Sequence, residues 1–166
     1  PSGVMKILDH YGLEPAGLQA VVVGRSFLVG KPMAAMLVNR NATVTLCHSR
    51  TLNLERTLRE ADLIVAAVGK PAFISAEMVR PGSILVDVGI NHIENEQDFV
   101  RFCPPGHFEA FKKKGYAIIG DIHFQAFAKA GHYTPVPGGV GPLTVTMLMH
   151  NTVELCKRAI SVTSDK

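Results

Sequence analysis

The scarcity of several features narrows the choices first. Three cysteines, Cys47, Cys103 and Cys156, are odd in number and lie far apart with no C-x-x-C spacing, which predicts reduced thiols in a reducing, cytoplasmic compartment. No uninterrupted apolar run approaches the roughly 18 to 20 residues that a bilayer-spanning helix requires, so no membrane segment is expected. Net charge is small, +3, and the cations are scattered apart from Lys112-Lys113-Lys114. That run reads as a solvated helix end, and nucleic acid is not an expected partner. Seven histidines are dispersed without ligand spacing, so no metal site is expected. No serine sits in a nucleophile-elbow sequence, which leaves a hydrolytic triad unsupported. Repeats, low-complexity tracts, and signal or transit segments are also missing from the sequence.

What is present suits one globular domain. The chain has 166 residues, 47% of them hydrophobic and 19% charged, enough for one well-buried core and short for two domains. Its periodicity alternates. A helical stripe over Val4 to Tyr11, with Ser2 as cap and Gly12 as stop, precedes a β-branched strand over Leu18 to Val23. Met33 to Asn39 lies on a second helix, Thr43 to Cys47 reads as a strand and Leu54 to Glu60 as a short helix. Leu63 to Val68 and Ile84 to Val88 are apolar runs bounded by Gly or Pro, as in strands buried on both faces. Such alternation predicts an α/β fold, a doubly wound and mostly parallel sheet with flanking helices, which holds ligands at the carboxyl ends of its strands. Asn91 to Lys114, carrying Phe99, Phe102, Phe108 and Phe111, is least regular. It reads either as an extra helix or hairpin that packs aromatics on the core, or as a dimer arm.

Two stretches carry chemistry. In Val21 to Met33 a strand ends at Gly24 and a helix opens near Gly30 to Pro32, with Pro32 suited to the first turn. This strand, turn and helix aim backbone N–H groups and the positive helix end at an anion, which a dinucleotide pyrophosphate would satisfy. The fingerprint G-x-G-x-x-G is matched imperfectly, because Ser26 replaces the second glycine and Gly30 comes one residue late. Phosphate-loop spacing fails, since five residues separate Gly24 from Gly30 and Pro32 stands where a magnesium-binding hydroxyl is needed. The second stretch, Thr134 to Thr144, packs Pro135, Pro137 and Pro142 with Gly138, Gly139 and Gly141 around Val136. That composition predicts a rigid, bare-backbone loop followed by an apolar helix from Leu143. A shaped turn without function is the simpler account of such a loop taken alone.

Cofactor choice follows from a missing acid. NAD-selective folds place Asp or Glu at the end of the second strand to accept from the ribose 2′-hydroxyl. Here that strand ends in Cys47-His48-Ser49-Arg50, and Arg25 follows the first turn, so a 2′-phosphate and hence NADP is expected. Lys31 and Lys70 are secondary candidates, with solvated lysine as the default. Asp87 is either structural, accepting backbone donors, or faces the nicotinamide, while Asp121 is expected to organise a turn.

Together with Ala67-Val-Gly-Lys-Pro71, Arg80 to Asn91, Gly120-Asp121 and the terminal helix Leu143 to Lys157, these stretches resemble the bifunctional methylenetetrahydrofolate dehydrogenase/cyclohydrolase family, over its C-terminal nucleotide-binding part. The resemblance implies cofactor contacts at Gly24, Arg25, Ser26, Val29, Gly30, His48, Ser49, Arg50, Val68, Gly69, Val88, Gly89 and Ile90, the last three on the nicotinamide side. It implies that Pro135, Val136, Pro137, Gly138, Gly139 and Gly141 wall the folate cleft. It also implies a homodimer joined through the segment Asn91 to Gly120, and helices over 1–14 and 143–160 that bridge to a preceding catalytic domain. That domain's Tyr-x-x-x-Lys motif has no counterpart here, because Tyr11, Tyr116 and Tyr133 are followed four places later by Pro15, Gly120 and Pro137. No catalytic residue is therefore expected in 1–166, a reading to which Pro1-Ser2-Gly3, similar to the tail of the family's interdomain segment, contributes. The intact enzyme would oxidise 5,10-methylenetetrahydrofolate with NADP and hydrolyse the methenyl product to 10-formyltetrahydrofolate. Competing readings are a stand-alone NADP-binding or sensor module without chemistry, and a dehydrogenase of another small cyclic carrier.

Overall fold

The computed structural model describes residues 1–164, so the last two residues of the expected domain lie outside the described residues. Helix α1 (Ser2–His10) leads into β1 (Gln19–Val23), α2 (Gly30–Asn39), β2 (Thr43–Cys47), α3 (Leu54–Arg59), β3 (Leu63–Ala66) and β4 (Ile84–Asp87). Then come β5 (Asn91–Ile93), α4 (Glu96–Phe102), α5 (Phe108–Lys114), β6 (Ala117–Ile119), β7 (His132–Tyr133) and α6 (Val140–Ser164). Five strands form one parallel sheet in the order β2-β1-β3-β4-β7, while β5 and β6 make a separate antiparallel pair.

Strand pleating divides the core in two. Ala20, Val22, Leu63, Val65 and Val86 face α1 and α2, meeting Val4, Leu8, Met33 and Leu37. Val21, Val23, Ile64, Ala66 and Leu85 face the other way, toward Leu58 of α3 and the short helical turns at Ala76–Met78 and Phe124–Ala128. Both faces are covered, which is why β1, β3 and β4 read as continuous apolar runs rather than alternating ones. Each fully buried Leu or Ile here contributes about 1.5 to 3 kcal/mol.

The expected doubly wound fold is observed, with several local corrections. Strands β1, β3 and β4 are one or two residues shorter than expected: β1 starts one residue later, at Gln19, while β3 and β4 end earlier, at Ala66 and Asp87, on the crevice side. Ser2 makes no capping bond; it is already helical, and Pro1 occupies the cap position. Tyr11, assigned to the buried stripe of α1, is 66% exposed, while Met5 takes its place in the core. The sheet also has a fifth strand, β7, at its edge beside β4, where two exposed residues carry no periodic signal. Helix α6 starts at Val140 rather than Leu143, so Gly141 and Pro142 belong to its first turn, where a missing N–H has no intrahelical partner to lose. The aromatic segment forms a lobe of its own, in which Phe99, Phe111, Cys103 and Ile93 pack on one another instead of on the sheet.

Candidate nucleotide site

The strand order reverses beside β1. The chain passes from β1 to β2 on one side and then crosses to β3 on the other, which opens a crevice above the carboxyl ends of β1 and β3. Ladder bonds run one residue beyond the strands: Gly24 N–H donates to Cys47 O at 2.9 Å, and Ala67 N–H to Val23 O at 2.8 Å. Gly24 is thereby fixed between two neighbours at φ +116°. A Cβ there would lie 2.0 Å from Ala67 O, and one on Gly30 would lie 1.9 Å from Gly24 O. These two glycines let strand, turn and helix close on each other, the service that the first and last glycines of a dinucleotide turn perform. Ser26, which stands in place of the middle glycine, turns its hydroxyl inward, where Oγ accepts from Val29 N at 3.2 Å and Gly30 N at 3.3 Å.

At the adjacent edge the end of β2 is a tight polar turn. His48 N–H donates to Thr51 Oγ1 at 2.8 Å and Thr51 N–H to His48 O at 2.9 Å, leaving His48, Ser49 and Arg50 exposed. Val23 pairs with Cys47, so Arg25 and Arg50 leave the sheet at the same corner. Arg40, Arg56, Arg59 and Arg80 each hold a carboxylate; among the described residues the Arg25 and Arg50 guanidinium groups hold none. Burial pushes the Cys47 thiol up, which keeps it protonated and inert at this edge.

Across the crevice the loops are tied by two buried carboxylates. Asp87 accepts from Gly89 N at 2.9 Å, Asp121 N at 2.9 Å and Ile122 N at 2.7 Å. Burial, partly opposed by these donors, pushes its carboxyl up to about 6. Asp121 accepts from Val68, Gly69 and Lys70 N–H at 2.6, 2.8 and 3.0 Å, and from Asn91 Nδ2 at 2.9 Å. Of the two readings of Asp87, the structural one fits its three backbone donors. Asp121 does organise a turn, but one that lies far off in sequence. Neither Asn91 nor Thr134 was singled out by the sequence. Thr134 Oγ1 accepts from Asp87 N at 2.8 Å, and its own N–H donates to Leu85 O at 3.0 Å, which fastens the start of the Pro135 to Gly139 loop beside the end of β4.

The expected residues therefore fall into three groups at one end of the sheet. Gly24 to Gly30 and His48 to Arg50 rim one side, Val68, Gly69 and Val88 to Ile90 the other, and the Pro/Gly loop rises beyond β4. Val88 is half-buried, and Ile90 is 62% exposed at the rim. Lys31 lies over the Phe27 ring at 3.9 Å and Lys70 over Phe73 at 5.6 Å, so both secondary candidates rest on aromatics. A cavity of about 960 Å³ lies between α1, β7 and α6, lined by Ile7, Tyr11 and Met147 and, from the Pro/Gly loop, by Pro135, Gly138 and Gly139, among others. Beyond it α6 carries Leu148, Met149, Val153 and Leu155 to solvent, each more than half exposed.

Residues 1–160 match the family described as tetrahydrofolate dehydrogenase/cyclohydrolase, NAD(P)-binding domain. The bifunctional protein FolD of Solibacter usitatus is 47% identical over 165 residues, 98% of this chain and 54% of the relative. Among solved structures, the FolD methylenetetrahydrofolate dehydrogenase/cyclohydrolase of Campylobacter jejuni is 41% identical with a TM-score of 0.80, covering 96% of this chain and 50% of that one. The Trypanosoma brucei enzyme, solved with NADP and an inhibitor, is 36% identical with a TM-score of 0.80 and the same coverage. This chain spans about half the length of the relatives it matches.

Proposed function

The chain belongs to the tetrahydrofolate dehydrogenase/cyclohydrolase NAD(P)-binding domain family, and on that premise we propose that it is the NADP-holding half of a bifunctional, cytoplasmic folate enzyme. That enzyme would oxidise 5,10-methylenetetrahydrofolate and hydrolyse 5,10-methenyltetrahydrofolate to 10-formyltetrahydrofolate. The observation that carries this reading is the Gly24 turn, closed on Ala67 and Gly30 at the switch point of the sheet and flanked by an arginine corner without acid. The missing Cβ atoms at Gly24 and Gly30 let strand, turn and helix close on one another as they do at a dinucleotide turn, so the residues present fit a dinucleotide at the start of α2.

In this reading the positive end of α2 meets the pyrophosphate, and Arg25, with His48, Ser49 and Arg50, receives the 2′-phosphate. Val68 and Gly69 bound the ribose, and Val88, Gly89 and Ile90 the nicotinamide. The bound cofactor supplies a hydride acceptor. The chain's own work is to orient that group, while Pro135, Val136, Pro137, Gly138, Gly139 and Gly141 close one wall of the folate cleft. Catalysis by the intact enzyme would draw on holding both partners in near-attack geometry, a contribution of roughly 7 to 11 kcal/mol that one half cannot supply. The exposed apolar face of α6 and the cavity beside α1 are where the Tyr-x-x-x-Lys domain would pack. The face of α1 itself is already buried on the sheet, with Val4 and Leu8 at 0% and 1% exposure. We also place a homodimer contact on the lobe between Asn91 and Gly120.

The test is a steady-state assay with methylenetetrahydrofolate and NADP. The chain alone should show no turnover, and turnover should appear when the domain bearing Tyr-x-x-x-Lys is supplied in trans. Turnover by the chain alone would contradict the division of labour.

A further inference from the structure

The geometry points to Asp121 as a positioning residue for the dinucleotide, one that acts through the backbone of Val68, Gly69 and Lys70. This inference rests on the NADP reading above. Three successive N–H groups converge on its carboxylate at 2.6, 2.8 and 3.0 Å. Consecutive main-chain donors aimed at one point are the arrangement that captures anions. Here the anion comes from the chain itself and is 0% exposed.

Two consequences follow for the crevice. These bonds hold the Val68 to Lys70 part of the loop after β3, and farther along the same loop Ala72 N–H donates to Gly120 O at 3.1 Å and Ile74 N–H to Asp121 O at 2.9 Å. With its donors already taken, that loop offers no second phosphate cradle, so the pyrophosphate is directed to the Gly24 to Gly30 turn on the opposite rim. Asp121 is itself held from behind. Its N–H donates to Asp87, whose N–H is bound by Thr134, and Asn91 Nδ2 donates to its Oδ1. A relay of Thr134, Asp87 and Asp121 thus joins the folate-side loop to the cofactor-side loop. Two glycines make room for it: a Cβ on Gly89 would lie 2.3 Å from Asp121 Cγ, and one on Gly120 would lie 2.0 Å from Asp87 Oδ2. No bulkier residue at either place leaves space for the carboxylate opposite.

The experiment combines calorimetric titration of NADP with amide hydrogen exchange of Val68, Gly69 and Lys70 read by NMR, on the unmodified chain, Asp121→Asn and Asp121→Ala. The asparagine variant turns an NH2 toward backbone donors, so NADP Kd should rise about tenfold, equivalent to about 1.4 kcal/mol. The three amides should lose protection while the β1 and β3 amides keep theirs. In Asp121→Ala, millimolar formate should refill the nest and restore both protection and affinity, whereas chloride at equal ionic strength should not. Unchanged exchange at the three amides, or folded variants with the affinity of the unmodified chain, would overturn the proposal. Should both variants fail to fold, Asn91→Ala, which removes one bond to Asp121 and leaves the carboxylate in place, should weaken NADP about twofold to threefold; unchanged affinity overturns it. If the unmodified chain binds no NADP, the functional reading fails, and the exchange data still decide whether Asp121 orders the loop.

Discussion

The central sheet and the aromatic lobe solve the same problem, hiding apolar surface, in opposite ways. The sheet joins strands distant in sequence, Val21 with Ile64 and Ile64 with Leu85, and buries both of its faces. The lobe is local: β5 and β6 pair as an antiparallel ribbon, α4 and α5 fold between them, and Phe99 lies 4.6 Å from Phe111 and 5.4 Å from Phe108. Polar bonds join the two at the root of the lobe. Asn91, the first residue of β5, bonds Ile119 O and Asp121 Oδ1, and these bonds tie the root of the lobe to the relay behind the crevice. Two regions with separate cores and a shared root should respond separately to damage, and damage at the sheet should reach the cofactor first.

Gly30→Ala should have the largest effect. Its Cβ would lie 1.9 Å from a backbone oxygen that no rotamer change can move, so a loss of at least about 3 kcal/mol and of NADP binding is expected, read by thermal unfolding and titration. Retained stability and affinity would show that the turn yields where the close packing says it cannot. Phe99→Ala should remove about 3 kcal/mol or more from the lobe, seen as lost amide protection over 91–119, with NADP affinity falling by no more than the about twofold to threefold expected from the Asn91 bond to Asp121. A parallel loss of affinity would mean that the two regions are one cooperative unit. The lobe also decides how assembly is probed. Phe99 is buried and Phe108 half-buried, so charges there would report on folding; Val100, 74% exposed, is the better site. Light scattering should show a dimer that Val100→Glu dissociates, and a monomer throughout the micromolar range would remove the assembly proposal.

A smaller effect concerns pH. Asp87 rises from its ordinary 3.8 to about 6 because it is buried; its three backbone donors oppose the rise, and the facing Asp121 carboxylate adds a little to it. Between those values the folded chain keeps a proton that the unfolded chain has released. Stability therefore falls as pH rises through this window, by about 3 kcal/mol in all. Denaturation midpoints followed from pH 3.5 to 7 should show this slope, and Asp87→Asn should flatten it at the cost of a buried acceptor. A slope that survives the substitution would place the titrating group elsewhere.

The same contrast explains what the sequence disclosed. Strands buried on both faces leave long apolar runs, and Gly24 and Gly30 punctuate them, so β1 to β4, α2 and the nucleotide turn were legible. Strand β7 was not, since His132 and Tyr133 are both exposed and a two-residue edge strand has no period to detect. Signals for the lobe did exist. Asn95 lies three residues before Asp98, whose N–H it caps at 2.8 Å, and Lys112 to Lys114 precede Gly115 as a helix end. The four phenylalanines were visible too, but composition alone does not tell a satellite core from aromatics packed on the main one. Most hidden was the carboxylate relay. Asp87 and Asp121 lie 34 residues apart, and the loop that Asp121 holds begins 53 residues before it; only the pairing of each acid with a facing glycine hinted at a close crossing.

Selection of NADP over NAD is assigned to the Gly24 turn and its arginine corner. Calorimetric titration of the chain with NADP and NAD, repeated on Arg25→Ala, tests it most directly, because the two nucleotides differ only in the 2′-phosphate. NADP should bind at least about tenfold more tightly, and the substitution should erase most of that preference while leaving NAD affinity nearly unchanged. Equal affinities for the two nucleotides, or a variant that loses both alike, would contradict the claim.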